Sequence, residues 1–209
     1  MTEKRSFLSF LLADMAQISL ETMKKTLRHR GYTDIHPVQK CSIRNYVLWK
    51  ITGTYNVRFA PAPTSFTCIW VLDEKKEVVP VPKSLLGLLM NDGHLDCSHI
   101  ILITSSISSH ALAALAQYTA HYEIFSFQET LSFIGHHMYV PRYTILKEQD
   151  VVSYEQTYGS RHNFPKIIAR VDPMARLMNL RPGDTVRVHR ASRTSGTSFF
   201  LRYVVEDNR

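Results

Sequence analysis

Phe66-Thr67-Cys68-Ile69-Trp70-Val71-Leu72 decides the fold. The run is β-branched, aromatic and almost continuously apolar, the texture of a strand buried on both faces rather than one. Asp73–Glu77 follows as a charged turn, and Val78-Val79 begins a short extension ended by Pro80 and Pro82. Lys83–Asn91, carrying Leu85, Leu86, Leu88, Leu89 and Met90, reads as a helix. His99–Thr104 is a second apolar strand, Ser105–Ser109 a polar connection with a helix cap, Ser109–Thr119 a second helix, and Tyr122–Phe127 a third strand. This βαβ-type alternation predicts a mixed or parallel sheet with helices packed on it.

Upstream, a strand is expected over Tyr55–Ala60, separated from the central run by Pro61-Ala62-Pro63. Residues 40–51 are ambiguous: Ile43, Val47 and Ile51 fit a helix, while Tyr46 and Leu48 blur the period. Thr33–Gln39 is a loop, since Pro37 disfavours helix at His36. The first thirty residues read as two helices, Ser6–Gln17 and Leu20–Arg30, the second closed by a basic last turn and Gly31 in the C-capping position. Lys4-Arg5 before Phe7–Ala13 mimics a secretory leader. Asp14 interrupts it and no small-x-small site follows, so an amphipathic helix with Phe7, Leu8, Leu11, Leu12 and Met15 on one face is the preferred reading.

Downstream, Pro141 marks a domain boundary, after which elements shorten and turns tighten. Lys147–Tyr158 is a short helix, Arg161–Phe164 a polar loop and Pro165–Ala169 extended. Asp172-Pro173 is a strong helix start, the Asp capping and the Pro lacking only a donor that would be orphaned there, for a brief helix Met174–Asn179. Arg181-Pro182-Gly183-Asp184 has Pro and Gly where a type II turn wants them. Thr185–Arg190 alternates, with Val186 and Val188 on one face and Arg187 and His189 on the other. After a loop over Ala191–Thr197, Ser198–Val205 closes a hairpin with Phe199, Leu201, Tyr203 and Val205 in phase.

Length and composition bound the rest. At 209 residues, 44% hydrophobic and 21% charged, the chain has the composition of one or two globular domains and excludes a disordered chain or a coiled coil. No apolar run reaches the roughly 18–20 residues of a bilayer span, so a soluble protein without a membrane partner is expected. Three cysteines, widely spaced and without a CxxC pair, suit a reducing compartment. The net charge of +7 is uneven: residues 161–209 hold ten basic and four acidic side chains, and nine of the ten are Arg. Arginine favours carboxylate and phosphate geometry, which points to an acidic partner for this end, beside the plainer reading of a solvated basic face.

Catalytic patterns are weak. His94, Cys97 and His99 lack a second cluster to complete a zinc site. His136 and His137 are adjacent and therefore diverge. Asp73-Glu74-Lys75-Lys76 contains the Glu-x-Lys spacing of restriction-type nucleases, but the upstream acid such a metal site needs has only Asp34 as a candidate, and a solvated turn is preferred. There is no G-x-S-x-G, no phosphate-cradling Gly-rich loop and no cysteine placed as a nucleophile. The expectation is a non-enzyme without metal or cofactor.

Beyond residue 160 the sequence becomes specific. Phe164-Pro165-Lys166-Ile167, Asp172-Pro173-Met174-Ala175-Arg176, Leu180-Arg181-Pro182-Gly183-Asp184, Val186-Arg187-Val188-His189-Arg190 and Ser192-Arg193-Thr194-Ser195-Gly196 follow one another in order and spacing. Together they resemble the assembly domain of the fifth subunit shared by eukaryotic nuclear RNA polymerases, the equivalent of the archaeal H subunit. Lys25-Thr26-Leu27, Arg30-Gly31-Tyr32 and the segment from His99 through Ser108-Ser109-His110-Ala111 are similar to the family more loosely. The Pro and Lys of the family's Thr-Pro-Ser-Ala-Lys segment are replaced here by Ser109 and Leu112, and Arg193 stands where a Glu is usual. Such divergence suits a subunit encoded by a large cytoplasmic DNA virus or a fast-evolving cellular lineage.

The resemblance implies an α/β N-terminal jaw domain over residues 1–142, restriction-endonuclease-like with a mixed sheet and helices. It implies a small α+β C-terminal assembly domain over residues 143–209. The protein would be a non-catalytic structural subunit of a multisubunit DNA-directed RNA polymerase. Its partners would be the largest subunit, bound by the C-terminal domain, other polymerase subunits, and downstream DNA beside the jaw. Pro165, Lys166, Asp172, Pro173, Arg176, Gly183, Arg187, Arg190, Thr194 and Gly196 would serve assembly. The site of action would be that of transcription: viral factories in the host cytoplasm and the virion if viral, the nucleus if cellular. The rival reading is a free nucleic-acid-binding module or degenerate nuclease using the Arg-rich C-terminal region.

Overall fold

A computed structural model of the chain describes residues 2–32, 34–56, 63–73, 77–95, 97–118, 121–192 and 196–206. It divides into two units, Met1–Ser132 and Phe133–Arg209. The sequence reading places the division after residue 142. The contacts divide the chain at 132/133 because a 3-10 turn at Gln128–Leu131 packs on the N-terminal helix, whereas the turn at Ile134–His136 packs on the short helix of the second unit.

The N-terminal unit is built on β4 (Pro63–Asp73). Along it Phe66, Cys68, Trp70 and Leu72 enter one core and Ile69 and Val71 the other, every one of them at 0–1% exposure. Burial on both faces is what the unbroken apolar run predicts. β5 (His99–Thr104) and β6 (Tyr122–Ser126) pair with it in parallel, in the order β4-β5-β6. The connections are α2 (Lys83–Asn91) and α3 (Ser109–Tyr118), whose Leu85, Leu86, Leu89, Ala111 and Leu115 fill the Ile69/Val71 core. Ser108 caps α3, its Oγ accepting from Ala111 N at 3.2 Å. The other face is covered by α1 (Thr2–His29) through Ala16, Leu20, Met23 and Leu27.

Three expectations are corrected in this unit. The two N-terminal helices are one, because nothing between Gln17 and Leu20 breaks it. Ser19 is fully buried in its middle and tolerated there because its hydroxyl is used on both sides. Trp70 Nε1 donates to Ser19 Oγ (2.8 Å), Ser19 and Thr130 hydroxyls lie 2.6 Å apart, and Thr130 Oγ1 donates to the Phe127 carbonyl (2.6 Å). Residues 40–51 are not helical: β2 (Gln39–Ile43) and β3 (Tyr46–Asn56) form an antiparallel hairpin, and β3 pairs along the length of β4. The strand therefore begins nine residues before the expected Tyr55; residues 57–60 of that expectation, and Pro61-Ala62, lie outside the described residues. The apolar period blurred by Leu48 and Tyr46 is that of a strand with both faces used, Leu48 in one core and Trp49 and Ile51 in the other.

β1 (Asp34–Ile35) crosses the far end of β3 beside Gly53. A Cβ on Gly53 would stand 1.9 Å from the Asp34 carbonyl oxygen and 2.7 Å from Phe66 Cε1, so only glycine admits this approach. Gly31 closes α1 as expected: Tyr32 N donates to Leu27 O and Gly31 N to Arg28 O, both at 3.0 Å, the double bond of a Schellman end. The side chains of Phe7, Leu8, Leu11 and Leu12 lie outside the described residues. Among the described residues no helix is long and apolar enough to cross a membrane.

The C-terminal unit is a four-stranded sheet in the order β7-β9-β10-β8, where β7 is Arg142–Ile145, β8 Lys166–Ile168, β9 Thr185–Ser192 and β10 Gly196–Val205. β7/β9 and β9/β10 are antiparallel and β10/β8 parallel. α4 (Glu148–Tyr158) packs through Tyr154 on the sheet face of Phe199, and α5 (Pro173–Leu177) brings Ala175 to the opposite face, onto Val186, Val188, Val204 and Ile167. Both faces are covered in part, so Phe199, Leu201 and Tyr203 share a side as predicted while Val204 is fully buried on the other.

Candidate assembly surface

Two of the candidate residues of the N-terminal unit, His99 and Cys97, make structural contacts. His99 is buried, with Nε2 2.9 Å from Glu123 Oε1 and Nδ1 3.1 Å from the Tyr32 hydroxyl. A carboxylate only accepts, so Nε2 carries a proton toward Glu123. Arg30, whose side chain is 1% exposed, donates through both Nη atoms to the two oxygens of Glu123 at 2.8 and 2.7 Å. Burial alone would raise the Glu123 carboxyl, but the charge of Arg30 and the hydrogen bonds from His99 and Arg30 outweigh it and hold it at about 2. The network ties the end of α1 to β5 and β6. Cys97 Sγ donates to the His99 carbonyl at 3.2 Å. Cys68 is fully buried, and burial pushes its thiol well above the usual range, leaving no thiolate for chemistry.

Asp73 makes a turn, its Oδ1 accepting from Glu77 N (2.8 Å); Glu74, Lys75 and Lys76 lie outside the described residues. Asp34 is on β1 with His36 Nε2 3.7 Å away. Among the described residues no three His, Cys, Asp or Glu converge on a point where a metal could sit.

In the C-terminal unit, several residues of the family-like motifs build the framework. Asp172 caps α5, its Oδ1 accepting from Met174 N (2.8 Å) and Ala175 N (2.9 Å), with Pro173 at the first helical position. Gly183 has φ +97°, and Asp184 N donates to Arg181 O at 3.0 Å, as a type II turn over Arg181–Asp184 requires. Arg181 N donates in return to Asp184 Oδ2 at 2.8 Å. Gly196 opens β10 at φ +70°. Pro165 and Lys166 are exposed at β8, the edge of the sheet, and Arg176 is half-buried on α5.

The two predicted hairpin arginines separate. Arg187 lies on the α4 face, where Nη1 donates to Tyr154 Oη and Nε to His189 Nε2, each at 3.2 Å. Arg190 is exposed and shares the opposite face with Val186 and Val188. Thr194, with Arg193 and Ser195, lies outside the described residues. Arg161, passed over as part of a polar loop, forks two carboxylates of α4: Glu155 at 2.9 Å through Nε, and Glu148. The side-chain and backbone hydrogen bonds from Arg161 hold Glu155 down to about 2.

Near Arg190 the sheet carries a group the sequence reading missed: Tyr143, Phe200 and Arg202, with Met138 and Tyr139 beside them. Their signal was present, since Tyr143 and Phe200 both pair with Val188 and so share its face. It became legible only with the strand register known.

Residues 133–204 match the family described as RNA polymerase Rpb5, C-terminal domain. Over 197 residues the chain is 26% identical to DNA-directed RNA polymerase subunit 5-like protein 1 of Arabidopsis thaliana, covering 88% of this chain and 92% of that one. It is 37% identical over 70 residues to DNA-directed RNA polymerase subunit Rpo5 of Archaeoglobus fulgidus, 33% of this chain and 91% of the relative. A third relative, DNA-directed RNA polymerases I, II, and III subunit rpabc1 of Dictyostelium discoideum, is 29% identical over 110 residues, 51% of this chain and 56% of the relative. With the capped helix, the type II turn and the hairpin all standing inside the matched stretch, the chain belongs to the Rpb5/Rpo5 family, DNA-directed RNA polymerase subunit 5.

Proposed function

We propose that this protein is a non-catalytic structural subunit of a multisubunit DNA-directed RNA polymerase, acting by position where transcription takes place. Its C-terminal unit anchors it to the largest subunit and meets other polymerase subunits. Its N-terminal unit forms the lower jaw beside downstream DNA. The observation that carries this reading is the family match over 133–204, which spans almost the whole C-terminal unit. Supporting it, a 70-residue stretch, about the length of that unit, accounts for 91% of the archaeal relative.

Two arginines of the Arg-rich end are engaged within the unit and so are withdrawn from a nucleic-acid-binding surface. Arg161 is held by Glu148 and Glu155, Arg187 by Tyr154 and His189, and Arg190 faces the other side of the sheet. Immobilised largest subunit should retain the full chain and release a chain truncated after Ser132. Retention of the truncated chain would move the anchor to the N-terminal unit.

A further inference from the structure

One sheet face of the C-terminal unit is unfinished. α5 covers Val186 and Val204, but beyond it the rung Tyr143–Val188–Phe200 floors an open concavity of about 750 Å³. Large apolar groups crowd it without being covered: Tyr139 is 81% exposed and Phe200 49%. Water pays no compensation for such surface, at roughly 25 cal/mol per Å² of apolar area, and a contiguous patch of this kind marks an interaction site.

Two arginines bracket the floor. In the β9/β10 register Val186 stands opposite Arg202 and Arg190 opposite Ser198, one rung to either side of Val188–Phe200 on the same face. The rungs are four residues apart, about 13 Å along the strands. Neither Arg190 nor Arg202 is in an ion pair among the described residues, and no carboxylate lines the concavity. The groove is therefore apolar at its centre and positive at both ends.

We propose that this groove docks an extended acidic–apolar–acidic segment of another polymerase subunit, an inference that rests on the polymerase reading above. In an extended chain residues i−2, i and i+2 point the same way, each about 6.6 Å from the next. A large apolar side chain at i, seated on Tyr143, Val188 and Phe200, thus carries carboxylates at i−2 and i+2 to Arg190 and Arg202. Arginine's planar fork suits carboxylates bidentately. The lining is partly aliphatic, with Met138, Val140, Pro141 and Val188 among the rings, which suits an apolar side chain better than the face of a base, and a cross-link to nucleic acid counts against the assignment.

The test uses the full chain carrying Tyr139→p-benzoylphenylalanine, assembled into the polymerase and irradiated. The cross-link should map to a peptide of another subunit with carboxylates two residues to either side of an apolar one. Arg190→Glu with Arg202→Glu should cut both cross-link and incorporation at least tenfold while leaving the melting temperature unchanged. The same probe at Tyr158, on the helix covering the other face, should stay silent. A silent probe at Tyr139 in assembled polymerase, a cross-link to nucleic acid, a cross-link from Tyr158 instead, or normal incorporation of the double charge reversal would overturn the docking assignment. Failure of the unsubstituted chain to enter the polymerase would instead bring down the polymerase reading, and this inference with it.

Discussion

Glu123→Gln removes the charge at the centre of the N-terminal network and keeps its shape. Arg30 then holds its guanidinium with 1% of its side chain exposed and no carboxylate to receive the two bonds of 2.7 and 2.8 Å. Removing one partner of a buried pair costs about 3–5 kcal/mol, because the remaining charge cannot return to water without unfolding. The proton linkage gives a consistent size. Glu123 titrates at about 2 in the folded protein against an ordinary 4.5. That depression stabilises the fold by about 3 kcal/mol at neutral pH. A depressed carboxyl contributes in full above its unfolded value, and the contribution is lost as pH falls through 4.5 toward 2. Urea unfolding of both proteins should therefore show a gap of about 3 kcal/mol at pH 7 that narrows steadily below pH 4.5. Fluorescence of buried Trp70 supplies the signal. A gap below about 1 kcal/mol, or one unchanged down to pH 3, would refute the role given to this network.

Other expectations follow from single contacts. Gly53→Ala drives a methyl into the Asp34 carbonyl and should destabilise the chain by about 1–3 kcal/mol, read as a lower melting temperature. Asp172→Ala strips the cap from Met174 N and Ala175 N, with an expected loss of about 1 kcal/mol that Asp172→Asn should largely restore. Gly183→Val at φ +97° should cost about 1–2 kcal/mol in the same melting experiment; unchanged stability would remove the type II turn.

Elements with one dominant signal were legible in the sequence. The run 66–72 had no polar alternation and became the doubly buried centre of the sheet, and α2 spans Lys83–Asn91 as its leucines predict. Asp172-Pro173 and Pro182-Gly183 were legible because caps and turns are local chemistry. Residues 40–51 were not, because a strand feeding two cores shows apolar side chains at both parities, as a helix segment does. Ser19 misled for a related reason: its helix-weakening hydroxyl is satisfied by Trp70 and Thr130, far away in sequence. The groove residues escaped because their alignment is a property of register, which pairs Tyr143 and Phe200 with one valine.

A chain that belongs to a working polymerase travels with the other polymerase subunits. Affinity purification of the tagged full chain from cells that express it measures this directly, by mass spectrometry of what elutes at moderate salt. The expected result is co-elution of the very large polymerase subunits in stoichiometric amounts with the chain. Recovery of a lone monomer that binds DNA, or that cleaves it with Mg²⁺ or Mn²⁺, would contradict it.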